Sequence, residues 1–124
     1  MPNILFDTTT QGLAQVLTLR QRRHEVLASN VANVETPGYR AKELDFGAAL
    51  KEAFVPPAEE PKPPLEAATR LVEDVDAPAR ADGNTVDVDM QMAKLSANGG
   101  DYVSLARILG KRLALLRQAI TGAP

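Results

Sequence analysis

Two stretches of the chain carry a heptad-like alternation of apolar positions, and a different kind of sequence separates them. In the first, Leu13, Leu17, Leu27, Val31 and Val34 fall on alternating spacings of four and three, with Arg20 and His24 on the same stripe. A second stripe, through Val16, Leu19 and Val26, runs beside it. The apolar surface is then wider than a two-stranded seam needs. The pattern predicts a helix over residues 10–33, roughly 36 Å long at 1.5 Å per residue, that wants neighbours on two sides. Asp7 to Thr10 supplies N-cap candidates.

In the second stretch the register runs Val88, Met92, Leu95, Gly99, Tyr102, Ala106, Leu109, Leu113, Leu116, Ile120, again alternating four and three. This predicts a longer helix with a coiled-coil seam, entered through the Asp82-Gly83-Asn84 turn and capped by Thr85 or Asp87. The expected packing residues are Leu13, Leu17, Leu27 and Val31 on the first helix. On the second they are Val88, Met92, Leu95, Tyr102, Leu109, Leu113, Leu116 and Ile120. Gly99-Gly100 marks either a kink, a close approach of another backbone, or a weak spot that its neighbours hold in place.

Between the helices lies a stiff junction, Ala28 to Tyr39, reading A-S-N-V-A-N-V-E-T-P-G-Y. Pro37 disfavours helix at Thr36. Pro37-Gly38 suits the two central positions of a type II turn. Asn30, Asn33, Thr36, Pro37, Gly38 and Tyr39 are the candidate junction residues, with the asparagines placed to bond freed carbonyls or a neighbour. Residues 40–54 can hold a short helix. Residues 55–64 contain five prolines, which rule out a persistent helix. Leu71, Val72 and Val75 suit a short strand or turn.

The expected fold class is therefore all-α: N- and C-terminal helices packed as a coiled-coil-like pair, with an irregular acidic, proline-rich middle. The segments are 1–39, 40–84 and 85–124, together one domain of 124 residues. Composition agrees. Aromatics are only 4%, which is thin for a self-contained core. Such helices are expected to order on assembly rather than alone.

Charge adds a second layer. Residues 1–42 carry five basic and three acidic side chains, residues 43–89 four and twelve, and residues 90–124 five and one. That split suggests contact between unlike regions, within a chain or between chains.

The chemistry of catalysis is missing. There is no cysteine and a single histidine, His24, so no thiol chemistry and no multi-histidine metal site can be built. Asn98-Gly99-Gly100 lacks the lysine of a phosphate loop. No enzyme activity and no cofactor are expected. The Arg20–His24 basic cluster raises a nucleic-acid-binding or regulatory helical module as an alternative. Against it stand the absence of interleaved aromatics and an overall net charge of −2. No apolar run is long enough to span a bilayer and no signal peptide is recognisable, so neither membrane insertion nor a cleaved leader is expected.

The stretch A-S-N-V-A-N-V-E-T-P-G-Y-R at 28–40 resembles the N-terminal signature of the bacterial flagellar rod and hook protein family. R-A-K-E-L-D-F-G-A-A-L-K-E-A at 40–53 and D-G-N-T-V-D-V-D-M-Q-M-A-K-L at 82–95 are similar to the FlgB-type proximal rod proteins. The final helix, ending L-A-L-L-R-Q-A-I-T-G, is similar as well. A FlgC-type proximal rod protein is the alternative within the family, and the D-G-N-T-V-D entry favours the FlgB type. The resemblance implies a structural subunit at the base of the rod, with its terminal helices forming a tube. It implies export without cleavage through the flagellar type III apparatus to the periplasmic rod. It implies as partners other rod subunits (FlgC type), a FliE-type adaptor, the export gate and the MS ring. The chain departs from the pattern at Asn98-Gly99-Gly100-Asp101, where relatives carry larger residues.

Overall fold

A computed structural model of the chain describes residues 7–54, 70–75 and 77–122. Two long helices dominate it: α1, Thr8–Ala32, and α3, Val88–Thr121. Between them come β1 (Lys42–Leu44), α2 (Phe46–Ala53) and β2 (Leu71–Glu73). The proline-rich stretch expected to be irregular lies outside the described residues.

Both long helices start on an aspartate cap. Asp7 accepts from the Thr10 N–H at 2.8 Å, and Asp87 accepts from the Met90 N–H at 3.2 Å. α3 ends on Gly122 in the left-handed conformation. It runs as one helix through Gly99 and Gly100, so the glycine pair does not break it.

α1 and α3 pack antiparallel. Asn30 meets Gln91, Arg20 meets Asn98 and Asp101, and Thr10 and Asp7 meet Arg112, so sequence position rises on one helix as it falls on the other. Residues 113–121 therefore run on past the described start of α1.

The faces that meet are not the ones with the most apolar residues. On α1 the buried positions are Thr10, Gly12, Val16, Leu19, Val26, Leu27 and Asn30. Of the expected packing residues Leu27 is fully buried, while Leu13, Leu17 and Val31 are half-buried. On α3 the buried residues are Gln91 and Asn98, with Leu95, Leu105, Leu109, Arg112 and Leu116 half-buried. This is a second heptad register, Gln91–Leu95–Asn98–Tyr102–Leu105–Leu109–Arg112–Leu116. It shares Leu95, Tyr102, Leu109 and Leu116 with the expected one but substitutes three polar positions. Of the expected packing residues, Val88, Met92, Tyr102, Leu113 and Ile120 are left exposed.

The fold is mostly helical, but the all-α expectation needs one correction: β1 and β2 form a two-stranded antiparallel sheet, Lys42 opposite Glu73 and Leu44 opposite Leu71. The cause is Asn30. Its side-chain amide imitates a peptide group: Oδ1 accepts from Lys42 N–H at 3.0 Å and Nδ2 donates to Lys42 C=O at 2.8 Å. Lys42 is thereby held extended against the last turns of α1, and β2 pairs with the strand that results. Periodicity cannot reveal a strand organised by a side chain.

α2 lies across the other end of α1. The Phe54 ring sits where a side chain on Gly12 would be, so a larger residue there would have to displace the ring. The Arg20 guanidinium stacks 4.3 Å from the Phe46 ring centroid. Arg23 makes a two-pronged pair with Glu43 at 2.9 and 3.1 Å, and Lys94 bonds Asp74 at 2.6 Å and lies 3.6 Å from Glu43. Four charges thus tie α1, β1, the end of β2 and α3 together. Among the described residues the buried apolar side chains are few and small; only Leu19, Leu27 and Leu44 of these are larger than valine.

Candidate assembly site

The junction is built from two segments far apart in sequence. Residues 33–39 form the end of α1 and its turn; residues 80–86 form the loop that leads into α3. Thr36 O accepts from Tyr39 N–H at 3.2 Å across Pro37-Gly38, and Gly38 has φ of 74°, as a type II turn demands. Gly83, with φ of 81°, lies against the Gly38 Cα. Gly38 N–H donates to Asp82 C=O, Thr85 N–H to Tyr39 C=O, and Ala41 N–H to the Thr85 hydroxyl. The two segments clasp each other through their backbones.

Asn84 is the centre of the clasp and is wholly buried. Its Nδ2 lies 2.9 Å from Asn33 C=O, 3.1 Å from Val34 C=O and 2.7 Å from Thr36 C=O, so its amide hydrogens are shared among the carbonyls that α1 frees at its end. Its Oδ1 accepts from Val86 N–H at 2.7 Å. Arg80 also donates to Val34 C=O. The cap for α1 comes from a residue about fifty positions downstream. Sequence reasoning looked for it in the local asparagines; the only sign of it was a D-G-N turn followed by a cap.

The predicted junction residues divide. Asn30 is buried and bonds Tyr39 Oη, both backbone groups of Lys42, and Gln91 Oε1. Asn33 donates to Ser29 C=O at 2.8 Å and accepts from the Thr36 hydroxyl at 3.1 Å. Thr36, Pro37 and Gly38 are exposed, and Tyr39 is half-buried. The turn therefore faces solvent while the asparagine beneath it is consumed by the fold. Gln91 is buried with its Nε2 unpartnered among the described residues.

The basic cluster at 20–24 is not gathered on one face. Arg20 is occupied by Phe46, Asn98 and Asp101, and Arg23 by Glu43. Burial lowers the proton affinity of Arg20, Asp101 opposes that shift, and Arg23 adds to it. Arg22 pairs with Glu25. A cleft of about 350 Å³ opens beside Gly99, lined by Arg20, Gln21, His24, Asn98, Tyr102 and Val103. Among the described residues no cluster of three or more His, Asp or Glu is placed to hold a metal, and no helix is long and apolar enough to cross a membrane.

The geometry is thus that of a helical hairpin with a rigid elbow and an apolar flank left uncovered by the described residues. Comparison with known proteins gives that geometry a family. Residues 14–40, most of α1 and the turn, match the family model described as flagella basal body rod protein. Over 94% of its length the chain is 32% identical to the flagellar basal body rod protein FlgB of Salmonella typhimurium, covering 95% of that protein. It is also 34% identical to FlgB of Cereibacter sphaeroides, over 88% of this chain and 91% of the relative. The FlgB of Escherichia coli is 32% identical over 85% of this chain. The chain belongs to the FlgB family of flagellar basal body rod proteins. It is a structural subunit of the flagellar basal body rod, in a family that is not enzymatic, and associates with other rod and basal body components. Two of the stretches that carried the resemblance, 28–40 and 82–95, contribute to the two halves of the clasp.

Proposed function

We propose that the α1–α3 hairpin is the unit by which this subunit enters a helical tube at the base of the proximal rod. The observation that carries this reading is the uncovered flank of α3: Val88, Met92, Leu113 and Ile120 are exposed on one stripe while the polar flank is spent inside the chain. Apolar side chains exposed on one stripe at both ends of a 34-residue helix form a packing surface. Leu13, Leu17 and Val31, half-buried on α1, add to it. The clasp serves as the elbow. It stops α1 at a fixed place and turns the chain back, so that β1 and α2 pack on α1, with Thr36, Pro37, Gly38 and Tyr39 available to a neighbouring subunit.

On this reading the neighbours are further copies, FlgC-type subunits, a FliE-type adaptor, and the export gate and MS ring below. The chain reaches the periplasm through the flagellar type III apparatus. A core this poor in large side chains suits a chain that must pass a narrow channel and complete its packing on arrival. The test is removal of the chain from its source bacterium. Basal bodies should then lack a rod and cells should not swim, and the wild-type chain should restore both. Complete rods in its absence would refute the reading.

A further inference from the structure

Asn98-Gly99 is the one asparagine–glycine pair in the sequence. In an open chain such a pair is chemically labile, because glycine has no side chain to hold its backbone nitrogen away from the asparagine amide carbon. The Gly99 nitrogen, giving up its proton, bonds to Asn98 Cγ. The Cγ–Nδ2 bond breaks and ammonia leaves. Water then opens the resulting succinimide at either carbonyl and leaves aspartate or isoaspartate at position 98. The reaction needs no reagent but water.

The folded hairpin blocks each part of this reaction. Asn98 is 1% exposed, so water is kept from its amide. Its Nδ2 donates to Arg20 C=O at 2.8 Å and its Oδ1 accepts from Arg20 Nη1 at 3.3 Å, which fixes the amide plane. α3 runs unbroken through the pair, so the Gly99 nitrogen is engaged in the helical ladder. Both side-chain bonds come from one residue of α1, so they are lost together when α1 leaves α3. The helix is then weakest at this place, since Gly99 and Gly100 disfavour helix without neighbours to hold it. Packing within the chain does not call for that weakness: a Cβ on Gly99 or Gly100 would meet nothing within 4 Å.

We infer that Asn98-Gly99 is a deamidation site that the α1–α3 pairing keeps shut, and that it marks chains whose hairpin has stayed open. The product does not fit back. A carboxylate at 98 turns an oxygen toward the Arg20 carbonyl. It also adds another anion beside Asp101, which already lies 3.3 Å from Arg20 Nη1. Isoaspartate is worse, because it puts an extra carbon into the main chain in mid-helix and breaks the ladder. The ammonia is lost, so the mark persists. This inference stands apart from the rod-subunit reading, since it concerns the closing of a single chain.

The full-length protein is held in mildly alkaline buffer, with and without urea, and its peptide masses are followed in time. Deamidation at Asn98 should be at least about tenfold faster in urea, because in native buffer it proceeds only through the open fraction. Asn33 and Asn84, followed by valine and threonine, should stay amides over the same period. Arg20→Ala should raise the rate in native buffer and leave the urea rate unchanged, with circular dichroism to check that its helices remain. Gly99→Ala should keep its helix content and slow the reaction in urea at least about tenfold. After urea is removed, the deamidated wild-type chain should regain less helix than Gly99→Ala treated alongside it. Equal rates at Asn98 with and without urea, or no effect of Arg20→Ala, would overturn the protection. Deamidated chains that recover full helix content would overturn the marking.

Discussion

Asn84 Nδ2 lies 2.7 Å from the carbonyl of Thr36, so the loop that starts the last helix caps the end of the first. This one contact couples the two ends of the chain. Asn84→Ala removes the cap from three carbonyls and the acceptor of Val86 N–H. Part of that loss is recovered by water at the exposed turn. The expected cost is about 2 kcal/mol. Asn84→Asp should be at least as damaging, because it sets a carboxylate against carbonyl oxygens. Urea denaturation followed by helix content checks both. An Asn84→Asp protein as stable as wild type would show that the clasp does not hold the hairpin.

Asn30 and Gln91 are both wholly buried and bonded at 3.0 Å, yet they are not equal partners. Asn30→Leu strands Lys42 N–H, Lys42 C=O and Tyr39 Oη. It should cost about 3 kcal/mol and loosen β1. Gln91→Met removes one bond and also an amide nitrogen that has no partner, so its cost should be under half as large. Hydrogen exchange at Lys42 separates the two. It should accelerate strongly in Asn30→Leu and little in Gln91→Met.

Much of this was legible in the chain, and the reason differs by residue. The helices, their caps at Asp7 and Asp87 and the Pro37-Gly38 turn follow from local rules that operate within a few residues. Of the stripe expected to pack, Leu95, Leu109 and Leu116 are half-buried and Tyr102 is exposed. The intramolecular flank was not, because Gln91, Asn98 and Arg112 look like solvent-facing positions until Asn30, Arg20 and Asp7 are opposite them. The strand at Lys42 and the cap from Asn84 were hidden for the same reason: each is made by a polar side chain acting across the fold. Apolar periodicity reports what a helix is able to bury and does not say which neighbour will cover it.

The Asp7 carboxyl is held below its ordinary value of 3.8, first by the Thr10 backbone N–H, then by the Thr10 hydroxyl and by Arg112. A depressed carboxyl stabilises the folded chain at and above its unfolded value, and that contribution disappears as pH falls below 3.8 through the folded value. Acidification through this window should therefore fray the first turn of α1 and free Arg112. Asp7→Asn keeps a capping oxygen but loses the charge, so its α1 terminus should be less stable at neutral pH and less sensitive to acid. Amide exchange at Thr10 and Gln11, compared above and below the window, gives the answer. Equal acid sensitivity in the variant would place the titration elsewhere.

Leu27 and Ile120 separate folding from assembly. Leu27 is fully buried on α1, and Leu27→Ala should destabilise the isolated chain by about 2–4 kcal/mol through the transfer and cavity terms. Ile120 is 60% exposed, so Ile120→Asp should leave the isolated chain within about 0.5 kcal/mol of wild type. In an assembled rod the order reverses in kind. A charge at Ile120 would be buried against a neighbour without a partner, and that is costly. Ile120→Asp should abolish motility while the purified protein keeps its helix content. Leu109→Asp, half-buried between α1 and α3, should lose both. Normal swimming with Ile120→Asp would mean that the exposed stripe of α3 stays in solvent inside the rod, and the packing surface would have to be sought on the half-buried face of α1.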